Sequence, residues 1–192
     1  MKPVRKTKSK YSRVNQLKIT SPLVSRIIIA VILLLIISIF VDIKLVLFLA
    51  VVITTNIFME NFRLRANLPA DFELSTFSTV LVTVAFGFKW GLLTAILSKL
   101  TTSIATGNVL ADHIFMILTY INAAVIASLL RGMNIFTLGM IIASINCIIM
   151  WLISKNVLGL DISSNLSYTG TNFIGNFLMF SIFSEIVLRI LV

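Results

Sequence analysis

Charged residues are scarce in this chain. Asp, Glu, Lys and Arg make up 12% of it, about half the share found in an ordinary soluble domain. Too few polar side chains remain to cover the outside of a water-soluble globule: 58% of the 192 residues are hydrophobic, and the mean hydropathy is +1.06. Lipid must therefore cover much of the surface. Cysteine is nearly missing as well. Cys147 has no second cysteine to pair with, so it forms no internal disulfide and says nothing about redox compartment. With the single histidine, His113, on a different segment, it makes a weak case for a metal site. No Walker A loop, HExxH, paired-cysteine spacing or GxSxG occurs. Hydrolytic and phosphoryl chemistry have no evident carriers. The expectation is a protein without enzymatic activity, metal or cofactor.

Acids are missing from the first 26 residues, while Lys2, Arg5, Lys6, Lys8, Lys10, Arg13, Lys18 and Arg26 supply half of the chain's sixteen cations. A basic tail can bind nucleic acid. Followed directly by an apolar run, it is read instead as lying against anionic headgroups and holding the N-terminus in the cytosol, with no nucleic-acid partner. No small-x-small cleavage site follows the first apolar run; Phe40, Val41, Asp42, Ile43 and Lys44 do, so the run is read as a retained signal anchor. This divides the chain into a basic cytosolic tail, 1–22, and a transmembrane helical bundle, 23–192.

Seven apolar segments stand out, at about 23–41, 45–60, 72–88, 90–106, 113–131, 135–155 and 170–191. The first, fifth, sixth and seventh are long enough to cross a hydrocarbon core of about 30 Å at 1.5 Å per residue. The second, with Thr54, Thr55 and Asn56, is doubtful. The fold class expected is all-α, a polytopic membrane bundle of six to seven transmembrane helices. The cations do not choose between six and seven spans, because the basic tail dominates the inside total either way.

Several residues carry finer expectations. Gly87 and Gly91 bracket a tight turn between the third and fourth segments, and Lys89 and Trp90 suit the headgroup zone. Asp71 and Glu73, behind Pro69, precede the third segment, and Asp112 precedes the fifth; all three fit helix capping. Gly91, Ala95, Ser98 and Thr102 form a small-residue stripe, Ala124 and Ser128 a shorter one, and Gly175 adds a small position in the seventh segment. Polar residues inside spans are costly and so more informative. Lys99 sits two turns into the fourth segment, where snorkelling or a cavity would each explain it. Glu185 and Arg189 are four apart and can pair along the helix, either snorkelling to the interface or meeting a partner. His113, Met116, Tyr120 and Ala124 share one stripe. Asn172 and Asn176 share a face near the start of the seventh segment, and Trp151 suits an interfacial anchor at the end of the sixth.

The stretch from Leu74 to Arg131 runs as an apolar helix, Phe86-Gly87-Phe88-Lys89-Trp90-Gly91, a helix with small residues, Ser103-Ile104-Ala105-Thr106-Gly107, a polar loop and a helix ending Leu129-Leu130-Arg131-Gly132. Together with the final helix and its early Asn172 and Asn176, it resembles the substrate-capture S-components of energy-coupling factor (ECF) vitamin transporters, six-helix prokaryotic membrane proteins. The likeness covers about residues 72–192. It departs from the family's pattern at Phe88, where a proline is usual, and in lacking paired alanines in 23–60. The rod-shape protein MreD has a related layout and is the alternative.

The resemblance implies vitamin uptake across the cell (plasma) membrane, with a small-molecule, vitamin-like ligand captured from outside. The Lys89 turn would be cytosolic, and the 107–112 and 156–169 loops external. Asp112, His113, Tyr120, Trp151, Asn172 and Asn176 would converge as the substrate-binding residues, with Glu73 on the same side if its helix starts outside. A membrane coupling subunit and an ATPase pair would supply the energy. An MreD-like scaffold would instead bind partners and transport nothing. The two differ at the space between the fifth, sixth and seventh segments, which a scaffold fills with side chains and a binder leaves open and polar.

Overall fold

The computed structural model describes residues 41–66, 72–108, 111–159 and 161–192, with Ala111 and Asp112 described by their backbone alone. The basic tail, the first apolar segment except Val41, and Asp71 lie outside the described residues. The described chain is all-helical: α1 Ile43–Ala66, α2 Ser75–Phe86, α3 Phe88–Thr106, α4 Ala111–Leu129, α5 Ile135–Asn156 and α6 Ile162–Leu191. Three of these, α1, α5 and α6, are long and apolar enough to cross a membrane.

Two boundaries differ from the hydropathy reading. The doubtful second segment belongs to a 24-residue helix that continues through Glu60, Arg63 and Arg65 to Ala66. The last helix starts at Ile162, so most of the loop expected at 156–169 is helical. Asp161 caps it, its carboxylate accepting from Ser164 N at 3.1 Å and from the Ser163 hydroxyl at 3.0 Å. Within the polar run, Thr169 and Thr171 hydroxyls donate back to the carbonyls of Asn165 and Ser167. Those internal bonds let a hydroxyl-rich sequence stay helical without an apolar pattern to announce it.

Among the described residues, the shortest helix is the central one. α2 has 12 residues, about 18 Å of length, and Ser75 to Thr83 are all buried. It packs against α3, α4 and α6 most extensively. Gly87 alone separates it from α3, with φ 94° and ψ 171°, a backbone region that favours glycine. Gly91 is not part of that turn; it lies inside α3, where a Cβ would come within 1.8 Å of Thr83 Oγ1. The stripe Gly91, Ala95, Ser98 and Thr102 is thus the buried face of α3. In α4 the small seam is Ala123, Ala124 and Ala127, and Ser128 is exposed. Gly139 makes the corresponding approach between α5 and α6, where an added Cβ would fall 2.2 Å from the Phe180 ring.

A dry core fills the end of the bundle where α2 turns into α3. Phe77, Val80, Leu81, Ala127, Leu138 and Phe180 are its centre, and the Phe77 and Phe180 rings meet edge to face at 5.1 Å. Arg131 closes this end by donating Nε and Nη2 to the carbonyl of Val84, at 2.9 and 2.6 Å, where a cation complements the helix C-terminus.

Candidate functional site

The opposite end, where α1, α3 and α5 finish and α2, α4 and α6 begin, is built from ions, amides and hydroxyls. Glu73 stands just before α2. It does not cap that helix, whose N-cap residue Leu74 has no side-chain cap bond. The amide of Asn56 on α1 does that work: its Oδ1 accepts from Leu74 N at 2.9 Å and its Nδ2 donates to Ser75 Oγ at 3.2 Å. Glu73 is thereby free to turn inward. Its Oε1 lies 3.0 Å from Lys99 Nζ, and the two side chains are only 5% and 1% exposed. The Tyr120 hydroxyl on α4 donates to Glu73 Oε2. Lys99 therefore does not snorkel; its ammonium is neutralised inside the bundle. A buried charge is tolerated at such depth only when paired and hydrogen-bonded.

One turn along α3 from Lys99, Ser103 Oγ is 2.8 Å from His113 Nδ1, both residues buried. Further toward the helix ends, Glu60 Oε1 accepts from Arg63 Nη2 at 2.6 Å and from Asn108 Nδ2 at 2.9 Å. Polar contacts thus tie α1, α3 and α4 together from the membrane-end loops to the centre of the bundle.

Beside this network is a cavity of ≈ 170 Å³. Phe115, Met116 and Thr119 of α4 form one wall, and Met150, Ile153 and Ser154 of α5 another. Tyr168 of α6 and Arg63 of α1 contribute the remaining polar groups. Met116 and Met150 pack against Tyr120 as well. The ring that holds Glu73 is therefore one side chain removed from the cavity. The Tyr168 hydroxyl lies 3.1 Å from Met116 Sδ. Mostly apolar walls with a few directed polar groups are what small-molecule sites have in common.

The six residues expected to converge are distributed differently. His113 and Tyr120 enter the polar network. Asp112 lies in the first turn of α4, and its side chain is outside the description. Trp151 is half-buried and borders an apolar groove on the outer side of α5 and α6 with Cys147 and Leu166, while its carbonyl accepts from Asn165 Nδ2 at 3.1 Å. Asn172 and Asn176 are buried in α6, where Asn176 Nδ2 donates to the Asn172 side chain at 3.0 Å. None of the five whose side chains are described lines the ≈ 170 Å³ cavity. Glu185 and Arg189 stand 3.9 Å apart and largely exposed near the far end of α6.

Sequence reasoning passed over Glu60, Arg63, Asn108, Ser154 and Tyr168. One signal was available: a lysine inside a span requires an anion nearby, and the chain has only seven acids from which to supply it. Among the described residues, no three His, Cys, Asp or Glu side chains gather as a metal would require. Comparison with protein-family models, curated proteins and solved structures found no match.

Proposed function

We propose that this chain is a membrane substrate-binding subunit that takes a small molecule into the cavity between α4, α5 and α6, in the manner of an S-component, with partner subunits energising uptake. The cavity itself carries the reading. An MreD-like scaffold has no use for open space between these helices, and close packing is the default for protein interiors. The lining supports the same reading, because Arg63, Thr119, Ser154 and Tyr168 offer polar groups against an otherwise apolar wall. In this proposal the cavity end faces outward and the end that carries Lys89 and Arg131 faces the cytosol. The exposed Glu185–Arg189 pair fits a contact with a coupling subunit. Chemistry on the substrate is not part of the proposal.

Thermal unfolding of the detergent-purified chain, screened against water-soluble vitamins, tests it. A ligand that binds the folded state raises the melting temperature in proportion to its saturation. At least one compound should do so for the natural chain and not for Ser154→Phe, whose ring would occupy the cavity. A panel without any stabilising compound would favour the scaffold.

A further inference from the structure

We infer that the solute of this cavity carries one compact apolar group, the size of a single six-membered ring or a short branched chain, which goes in first and leaves the polar part of the solute at the mouth; this rests on the cavity being a binding site. The walls change in character along the bundle. At the helix ends stand Arg63, in the last turn of α1, and Ser154, in the last turn of α5. Met150 lies one turn further in than Ser154. On α4, which runs the other way, Thr119 lies one turn further in than Phe115. Met116, Thr119 and Met150 are buried, whereas Arg63, Phe115, Ile153 and Tyr168 are half-buried. The methionines therefore form the floor and the half-buried groups the mouth.

That floor presents mainly hydrocarbon and thioether. The Thr119 hydroxyl is turned back on its own helix, donating to the Met116 carbonyl at 2.7 Å. A polar group pushed onto such a floor loses water without a matching bond. An apolar group gains by leaving water, and a ring gains further from contact with sulfur. The polar part, left at the mouth, keeps its water and asks for no particular donor. Size then limits the apolar group. A cavity of about 150 Å³ holds one benzene molecule, and this one is ≈ 170 Å³. Met116 and Met150 are backed by Tyr120. That ring is fully buried, and its hydroxyl donates to Glu73, which Lys99 holds in turn at 3.0 Å. The floor thus has little room to retreat before a second fused ring. Apolar area alone would rank two rings above one; the volume of the cavity reverses that order.

The test follows the methionine methyl groups by NMR, in the full chain in lipid nanodiscs with labelled methionine. A ring seated on the floor shifts the Met116 and Met150 signals to saturation, which partition into lipid does not. Benzyl alcohol should do so, and should bind about tenfold or more tighter than naphthylmethanol. Glycerol, which has no apolar group, should not displace it. Met150→Ala deepens the floor and should let naphthylmethanol bind; Met116→Ala serves if that variant does not fold. Equal or tighter binding of naphthylmethanol by the natural chain would overturn the size limit, and displacement by glycerol would overturn the apolar group, both while leaving the cavity as a binding site. Exclusion of naphthylmethanol from the deepened variant would show that the methionine floor does not set the limit. Benzyl alcohol that shifts neither signal would also overturn the proposal, and the vitamin panel then decides the cavity reading separately.

Discussion

Phe77, Leu81, Leu138 and Phe180 fill one end of this bundle with hydrocarbon. At the other end the same helices present Glu73, Lys99, Tyr120, His113 and Glu60. The two ends solve different problems. At the first, helices need only fit, and the fit is tight enough that Gly91 and Gly139 leave no room for a Cβ. At the second, buried charges need partners close by, because an unpaired charge in a low-dielectric interior is expensive. Steric fit fixes how close the helices approach. The polar contacts tie α1, α3 and α4 to one another and to the start of α2.

Removing one half of the buried ion pair should have the largest effect. Lys99→Met leaves Glu73 without its cation and is expected to cost about 3–5 kcal/mol, read by unfolding in mixed detergent. Adding Glu73→Gln should restore much of that, since an unpaired charge is the origin of the loss. If Lys99→Met unfolds no more easily than the parent, the polar end is not held by this pair.

At the hydrocarbon end, Gly139→Ala drives a methyl into the Phe180 ring and should cost about 1–3 kcal/mol by overpacking. Gly91→Ala should behave similarly against Thr83. Neither should change ligand binding in the cavity, which separates the two ends as functions as well as materials. Asn56→Ala removes the amide that bonds Leu74 N and Ser75 Oγ at the start of α2 and should cost about 1 kcal/mol, measurable as a lower melting temperature.

The smallest effect concerns Asp161, which is fully exposed. Hydrogen bonds from Ser164 and Ser163 hold its carboxyl below the ordinary value of 3.8. A group whose pKa is depressed on folding stabilises the fold above its unfolded pKa and loses that contribution as pH falls through the folded one. Amide exchange over the first turn of α6 should therefore quicken below about pH 3.8. Asp161→Ala should exchange faster at neutral pH and show no such step.

These contrasts explain which features were legible in advance. Long apolar runs announced the helical segments, because leucine, isoleucine and phenylalanine carry their signal in composition. The stripe of α3 was legible from helical spacing alone. The start of α6 was not, since its polar run is held by Asp161 and by hydroxyl-to-carbonyl bonds that have no hydropathy signature. The partners of Lys99 were not legible either. Glu73, its anion, is itself held by Tyr120, 47 residues further along the chain, and Glu73 has the position and chemistry of a helix cap until Asn56, on another helix, takes that role. Arg63 and Tyr168 were missed because cavity walls come from four helices, and no local pattern records which side chains face an interior gap.

The length of α6 has a consequence for access. Its 30 residues extend about 45 Å, some 15 Å beyond the oily slab that a bilayer presents. Set upright, the helix projects its serine- and threonine-rich first turns among headgroups and water, and Tyr168 lies in that overhang. Under the proposed binding role, a solute would reach the cavity beside this residue from the aqueous phase without dissolving in the lipid interior.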